Sequence, residues 1–194
     1  FGWLDGILEY YSRDSDGLLY YLDLPLSAQV GDVTGKNTNL GNIRNSGLEF
    51  TLGAQVFNNK NFQWRIDANL STLKNEVTYL NPLLDRVGGE TVGTGWTATY
   101  LELNQPVWYF RGYQTDGIFQ NQAEIDAYKA ANGGLAGYNP VPGDPIVVNT
   151  NGDNLINNED QTSIGSPHPK FMWGAYVNMS YANFDLRMFF QGVH

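Results

Sequence analysis

The chain of 194 residues contains no cysteine. That absence removes disulfide scaffolds, thiol nucleophiles and thiolate metal sites together. Only two histidines are present, too few for a histidine metal centre. Basic residues are scarce as well: 11 Lys and Arg against 20 Asp and Glu give a formal charge of -9. Nucleic acid is therefore not expected as a partner, because phosphate recognition needs clustered cations; a cation or a neutral ligand fits better. No apolar run approaches about 18 residues, so no transmembrane helix is expected, although strands crossing a bilayer would leave no such run. The chain opens on Phe1 in an apolar, aromatic stretch and stops at Phe189-Phe190-Gln191-Gly192-Val193-His194 in mid-pattern. It is expected to be one piece of something larger.

What the chain does have is alternation. From Phe62 to Ser71 every even residue is apolar and every odd one polar, which is one greasy and one wet face of a strand. Leu48 to Val56 repeats the pattern, and Asn58-Asn59-Lys60-Asn61 between the two is a short turn, so a hairpin is predicted. Phe171, Trp173, Ala175, Val177, Met179 and Tyr181 form another apolar row; a turn at Ala182-Asn183 and the run Phe184 to Met188 complete a second hairpin. Strands of roughly 9 to 11 residues joined by short turns suit a tilted bilayer crossing. A soluble sandwich shows the same alternation with strands nearer 5 or 6 residues. On pattern alone both architectures stay open.

Arg65 and Asp67 share the wet face of one strand, Asp185 and Arg187 that of another. Such charges are prohibitive against lipid at the bilayer midplane but belong in a lumen, in ion pairs across a barrel wall or in contacts to a plug.

The middle of the chain differs. Residues Asn81 to Lys170 hold most of the eight prolines, and Asp116 to Asp160 carries seven acids against one Lys. A short helix is predicted over Gln122 to Ala131, with Asn121 as N-cap, Glu124 at the third helical position and Gly133 at its end. A long, acidic, partly structured excursion between hairpins suits the extracellular side of an outer-membrane barrel. Inside it, Asn149 to Asp160 reads as a calcium loop with two letters changed: Asn149 replaces the first Asp and Asn154 the Gly. Its candidate ligands are Asn149, Asn151, Asp153, the Leu155 carbonyl and Asp160. Two anionic ligands, with the shorter Asp at position twelve, predict weak Ca²⁺ binding or none, the alternative to a metal site being a turn held by side-chain hydrogen bonds from Asn149 and Asn151 to the backbone.

Catalytic constellations fare worse. Asp144, Asp153, Glu159 and Asp160 could supply a glycosidase pair, but acids on a solvated loop need no chemistry to explain them. His168 lies in the stiff stretch Pro167-His168-Pro169, so no Ser-His-Asp set is expected. The aromatic clusters Tyr10-Tyr11, Tyr20-Tyr21 and Trp108-Tyr109-Phe110 could stack on sugars, or sit in the interfacial girdles of a barrel.

Gly41-Asn42-Ile43-Arg44-Asn45-Ser46-Gly47-Leu48-Glu49-Phe50 resembles the G-x-[IVM]-x-N-x-G-[VIL]-E segment of the SusC-like (RagA-type) TonB-dependent transporters. Pro142-Gly143-Asp144, the acidic loop, Ile164 to Phe171, Tyr181 to Leu186 and Phe189-Phe190-Gln191-Gly192 follow in that family's order. The resemblance implies an all-β fold: a late part of an antiparallel transmembrane β-barrel with long extracellular loops and one short helix in a loop. It further implies an outer-membrane nutrient importer for oligosaccharides or peptides, energised by TonB through a part of the protein outside this chain, and lidded by a SusD-like lipoprotein. No catalytic residues are expected on this reading. The family form of the loop is close to D-x-N-G-D-G-x-I-x-x-x-D, of which Asn151, Gly152, Asp153, Ile156 and Asp160 are kept. The alternatives are a soluble carbohydrate-binding β-sandwich and a secreted glycosidase fragment.

Overall fold

A computed structural model describes residues 2–23, 35–82, 84–93, 95–132, 138–153 and 155–194. Strands β1 (Leu4–Asp23), β2 (Gly35–Asn58), β3 (Phe62–Thr72) and β4 (Lys74–Leu80) come first. The short strands β5 (Arg86–Gly88), β6 (Thr91–Val92), β7 (Trp96–Thr97), β8 (Thr99–Glu102), β9 (Tyr109–Tyr113), β10 (Thr115–Ile118), β11 (Pro145–Val147) and β12 (Gln161–Gly165) follow, with helix α1 (Gln122–Ala131) between β10 and β11. Strands β13 (Phe171–Tyr181) and β14 (Phe184–Val193) close the order. The chain divides into two compact units, Phe1–Arg86 with Glu102–Val107 and His168–His194, and Val87–Leu101 with Trp108–Pro167.

The first unit is one antiparallel sheet in the order β1-β2-β3-β13-β14, with β4 also paired to β2. Both predicted hairpins are present, and the β3–β13 pairing joins them across the whole acidic segment. Because opposed residues share a face, the register aligns the apolar rows of all five strands. One rung is Leu4, Ala54, Ile66, Val177 and Met188; the next is Gly6, Leu52, Ala68, Ala175 and Phe190. Aromatic rings dominate beyond these aliphatic rungs. Phe62, Tyr181 and Phe184 lie beside the short turns, with Phe57 and Trp64 on the neighbouring rung, and Phe50 and Trp173 lie towards the other end. The turn-side rings touch: Phe57 stacks on Trp64 with centroids 5.9 Å apart, and Phe62 meets Tyr181 edge-on at 6.5 Å. From the Phe62 rung to the Leu48 rung is roughly 33 Å along a strand, or about 25 Å at a barrel's tilt.

This apolar face is not covered as a sandwich face would be: Leu8 is 71 % exposed, Phe184 79 % and Leu186 52 %. The opposite face of the same strands carries Asp5, Glu49, Gln55, Arg65, Asp67, Asn178 and Arg187.

One detail of the alternation fails. The apolar row of β2 was expected to run through Val56, but the register slips between Gln55 and Phe57, and Phe57 stands opposite Trp64 instead. The bulge places a ring rather than an isopropyl group against the indole, and the stack rewards it. The turn at Ala182-Asn183 closes β13 on β14 with φ 53° at Ala182, and the Ala182 N–H donates to the Asn61 carbonyl of the adjacent turn at 3.0 Å.

The first segment of the family resemblance, Gly41 to Phe50, sits where β2 changes partners. Up to Ser46 it pairs with β4, and from Glu49 onward with β3. Between them the chain breaks step: the Leu73 N–H goes to Lys170 O, and Thr72 Oγ1 accepts from the Leu48 N–H at 2.9 Å. The Tyr11 hydroxyl donates to the Thr72 carbonyl at 3.3 Å. That carbonyl occupies the place where a Cβ on residue 47 would stand, so only glycine admits this crossing. Past the break, Asn45 Oδ1 accepts from Asn75 Nδ2 at 2.7 Å, and Asn75 Oδ1 accepts from the Val107 N–H at 2.7 Å. Leu40 and Val77 are fully buried in this part of the unit.

The second unit has its own core of Val87, Leu101, Tyr109, Phe119, Ile125, Val147 and Ile156. Its sheet runs β12-β9-β8-β5, beside the small pairs β10-β11 and β6-β7. Helix α1 starts as predicted, with the Asn121 side chain accepting from the Glu124 N–H at 3.0 Å, and buries Ile125. At its end the Asn132 N–H returns to Tyr128 O; Gly133, the expected stop, lies outside the described residues. Pro142 and Gly143 form the middle of a tight turn closed by Asp144 N–H to Val141 O at 3.0 Å, with Gly143 at φ 102° as a type II turn requires.

Replacing Gly47 by Ala in the full-length protein is expected to destabilise it by about 1–3 kcal/mol, because the Thr72 carbonyl must move. Gly6→Ala, whose new methyl would meet Thr51 O at an ordinary 3.4 Å, is the matched control. Heat-dependent gel mobility of the folded protein measures both, and equal melting of the two variants would contradict the crowding at Gly47.

Candidate functional site: the polar wall face and the acidic loop

The polar face is organised around Arg65. Its Nε donates to Asp67 Oδ1 at 2.8 Å, and its Nη2 reaches Asp5 Oδ1 at 3.2 Å on β1. Between β3 and β1 lies β2, and the residue in the path is Gly53, paired with both Asp5 and Asp67. A Cβ there would strike the guanidinium and the Asp5 carboxylate, so the absence of a side chain lets one arginine span three strands. The expected ion pairing is thus present for Arg65 and Asp67, with Asp5 as a partner that alternation could not reveal. Asp185 instead accepts from Ser180 Oγ at 2.6 Å.

Nearer the far end of this face, Tyr176 and Phe189 stack with centroids 4.5 Å apart and stand half exposed. Their positions on the polar parity of β13 and β14 were visible in the sequence as breaks in the pattern. Gly174 beside them leaves a depression of ≈ 480 Å³ that Glu49, Asn69 and Gln191 help to line. A Cβ at Gly174 would come within 2.7 Å of Asn69 Oδ1. Carboxamides, hydroxyls, paired charges and one aromatic step make this a hydrophilic face, opposite in character to the apolar one.

The acidic loop is tied by its own side chains. Asn149 Oδ1 accepts from the Gly152 N–H at 2.6 Å, and Asn151 Oδ1 from the Asp153 N–H at 3.0 Å. Asp153 Oδ1 accepts from the Leu155 N–H at 2.9 Å, while Oδ2 takes the Asn151 amide at 3.0 Å. Asp160 is wholly buried; Oδ1 accepts from the Thr150 N–H at 2.9 Å and Oδ2 from the Asn157 N–H at 2.8 Å. Thr150 Oγ1 donates to the Asp160 carbonyl, closing the loop a second time. Asn154 lies outside the described residues. The side-chain oxygens of Asn149, Asn151, Asp153 and Asp160 therefore all serve backbone or amide donors, and each candidate carboxylate is half of a turn. Among the described residues no group of three or more His, Cys, Asp or Glu is placed to hold a metal ion.

The residues considered for hydrolysis are dispersed into such local tasks. Asp144 Oδ2 accepts from the Val141 N–H at 2.8 Å, Glu159 is exposed, and a His168 ring nitrogen lies 3.1 Å from Val107 O. Tyr128 donates its hydroxyl to the Val147 carbonyl and packs edge-on against Phe119. Burial, helped by Tyr138 and Asp160, holds this phenol above its ordinary pKa, so it stays a donor.

No family model matches the chain. It is 33% identical over 193 residues to TonB-dependent receptor P26 of Formosa agariphila, covering 95% of this chain and 18% of that protein. It is 25% identical over 192 residues to TonB-dependent receptor SusC of Bacteroides thetaiotaomicron, covering 95% of this chain and 17% of that protein. Among solved structures it superposes on the RagAB peptide importer in the open-open state with a TM-score of 0.68 and in the closed-closed state with 0.65, at 19% identity in both. These fits cover 99% and 98% of this chain and 19% of the importer chain. The chain thus spans less than a fifth of the length of the proteins it matches, and it has the antiparallel β-barrel fold of that part.

Proposed function

We propose, for a chain that is along 95% of its residues similar to a segment of the SusC-like TonB-dependent receptors, that its sheet forms part of the wall of an outer-membrane importer for oligosaccharides or peptides. The observation that carries this reading is the separation of faces held over five strands: an exposed apolar side bordered by rings, and a polar side with paired charges. Lipid takes the first and an aqueous lumen the second. The relatives named above are receptors and importers, and we assign no catalytic step to this chain.

In the whole protein TonB acts through a part outside this chain, and a SusD-like lipoprotein covers the mouth. The segment from Asn81 to Lys170 faces the cell exterior and supplies contacts to that lid. Its acidity, its prolines and its separate small core support this placement, since a tight periplasmic turn holds none of these.

The acidic loop from Asn149 to Asp160 takes Ca²⁺ weakly or not at all in this reading, with Asn149, Asn151, Asp153, Leu155 and Asp160 as the ligands it would use. An arriving ion would have to displace the N–H donors that already occupy the side-chain oxygens of Asn149, Asn151, Asp153 and Asp160.

Three outcomes are expected. Ile66→Arg in the full-length protein, on the lipid side, impairs assembly, an arginine at the midplane costing about 2–4 kcal/mol, whereas Asn69→Arg on the polar side does not. The folded fraction in isolated outer membranes measures it, and equal or reversed effects would remove the wall assignment. Protease added to whole cells cuts between Asn81 and Lys170 and spares Asn58 to Asn61; cleavage confined to that turn would invert the topology. Calorimetric titration of the intact protein detects no micromolar Ca²⁺ site, and tight binding lost in Asp153→Ala would overturn the weak-site reading.

A further inference from the structure

On the apolar face, just past the Tyr10–Leu48 rung, the chemistry changes within two steps. Ser12, Ser46 and Lys74 form the next rung, and Asp14, Arg44 and Glu76 the one after. The β1–β2 register is unbroken from Leu4–Ala54 to Ser15–Ile43, and the β2–β4 register from Ser46–Lys74 to Ile43–Val77. Side-chain parity therefore carries across, and all four charges project from the face that bears Leu8, Phe50 and Leu48.

These charges are arranged as two pairs. Arg44 Nε and Nη2 donate to the two Asp14 oxygens at 2.7 and 3.3 Å, and Lys74 Nζ lies 2.6 Å from Glu76 Oε2. Neither cation is used up. A guanidinium has further N–H groups when one fork is engaged, and an ammonium has two more protons; the Arg44 and Lys74 side chains are 50% and 69% exposed. From Leu48 to Arg44 is about 13 Å along the strand, or about 10 Å along the normal of a membrane crossed at a barrel's tilt. That is the level of lipid headgroups, beyond the Tyr10–Leu48 rung that ends the apolar rows.

We propose that Arg44 and Lys74 hold a phosphate of a membrane lipid headgroup, the guanidinium as a fork and the ammonium as a point charge. Asp14 and Glu76 fix the two cations in place and keep the two rungs together neutral when no headgroup is bound. The inference rests on the wall reading, since only a lipid-facing sheet brings phosphates to this height. It fits a lipid better than a soluble anion because the charged rungs continue a broad exposed apolar surface that an acyl chain would cover.

The full-length protein, in detergent micelles, is offered a diphosphorylated glycolipid, the same glycolipid stripped of phosphate, and inorganic phosphate, with retained lipid counted by native mass spectrometry. Wild-type protein is expected to retain the phosphorylated form in preference to the stripped one. Lys74→Gln and Arg44→Gln should each lower that retention about fivefold, and Glu76→Gln, which removes an anion and leaves both cations, should raise it. Equal retention by wild-type and the Lys74→Gln protein overturns the proposal, as does displacement by inorganic phosphate at equal concentration, which would mark a site for free anions. Heat-dependent gel mobility is recorded for every form. Intact mobility with unchanged retention sinks this inference alone, whereas a wild-type protein with no barrel-like shift and no retained lipid sinks the wall reading with it.

Discussion

Antiparallel register is the constraint on which the rest of this molecule depends. A pleated strand sends successive side chains to opposite faces, so a single slipped residue would turn every apolar group of that strand to the wrong side. Five strands here keep one parity from rung to rung through the band of apolar rows; the slip in that band, at Val56, comes beside the turn, where Phe57 resumes the apolar row against Trp64, and the further register shifts of β1 and β2 lie beyond it, past Ser15 and Ile43. Because the parity holds, the apolar rows merge into a surface, the charges of the other face merge into another, and the two charged rungs around Arg44 continue the apolar side.

Glycine is how the wall accommodates interactions that cross strands. At Gly53 the missing side chain gives Arg65 a path to Asp5, and at Gly47 it gives the Thr72 carbonyl a place as β2 exchanges β3 for β4. At Gly174 it opens a recess beside Asn69 and Phe189. In each case the constraint is proximity rather than a left-handed backbone, and the neighbours that impose it come from other strands.

The second unit solves a different problem. Its segments are short and its regular pairs few, so side chains do much of the work that ladders do in the wall. Asn121 and Asn157 cap helical turns, Asp144 holds the Pro142-Gly143 turn, and Asn149, Asn151, Asp153 and Asp160 each close a turn on a nearby donor. This explains why a segment so rich in Asp and Asn can fold around a modest core. The acids that resemble a catalytic or metal-binding set in one dimension are, in three, mostly turn residues.

The sequence by itself determined the local facts: the two hairpins, the two faces of each strand, the start of α1 at Asn121 and the turn at Asn58 to Asn61. These follow from periods and caps that a few neighbouring residues impose, so they are legible without knowing the rest of the chain. The family order of motifs was legible too, since it is itself a linear property. Only the tertiary structure decided which strands are neighbours and in what register, because both hairpins carry the same alternation and nothing local says that β3 meets β13. With the register came Asp5 as the partner of Arg65, the crowding at Gly47, the depression at Gly174 and the adjoining rungs of Lys74 and of Asp14, Arg44 and Glu76. The loop divides the same way: its letters announced oxygens at alternate positions, and only the folded chain shows that the side-chain oxygens of Asn149, Asn151, Asp153 and Asp160 accept from nearby N–H donors.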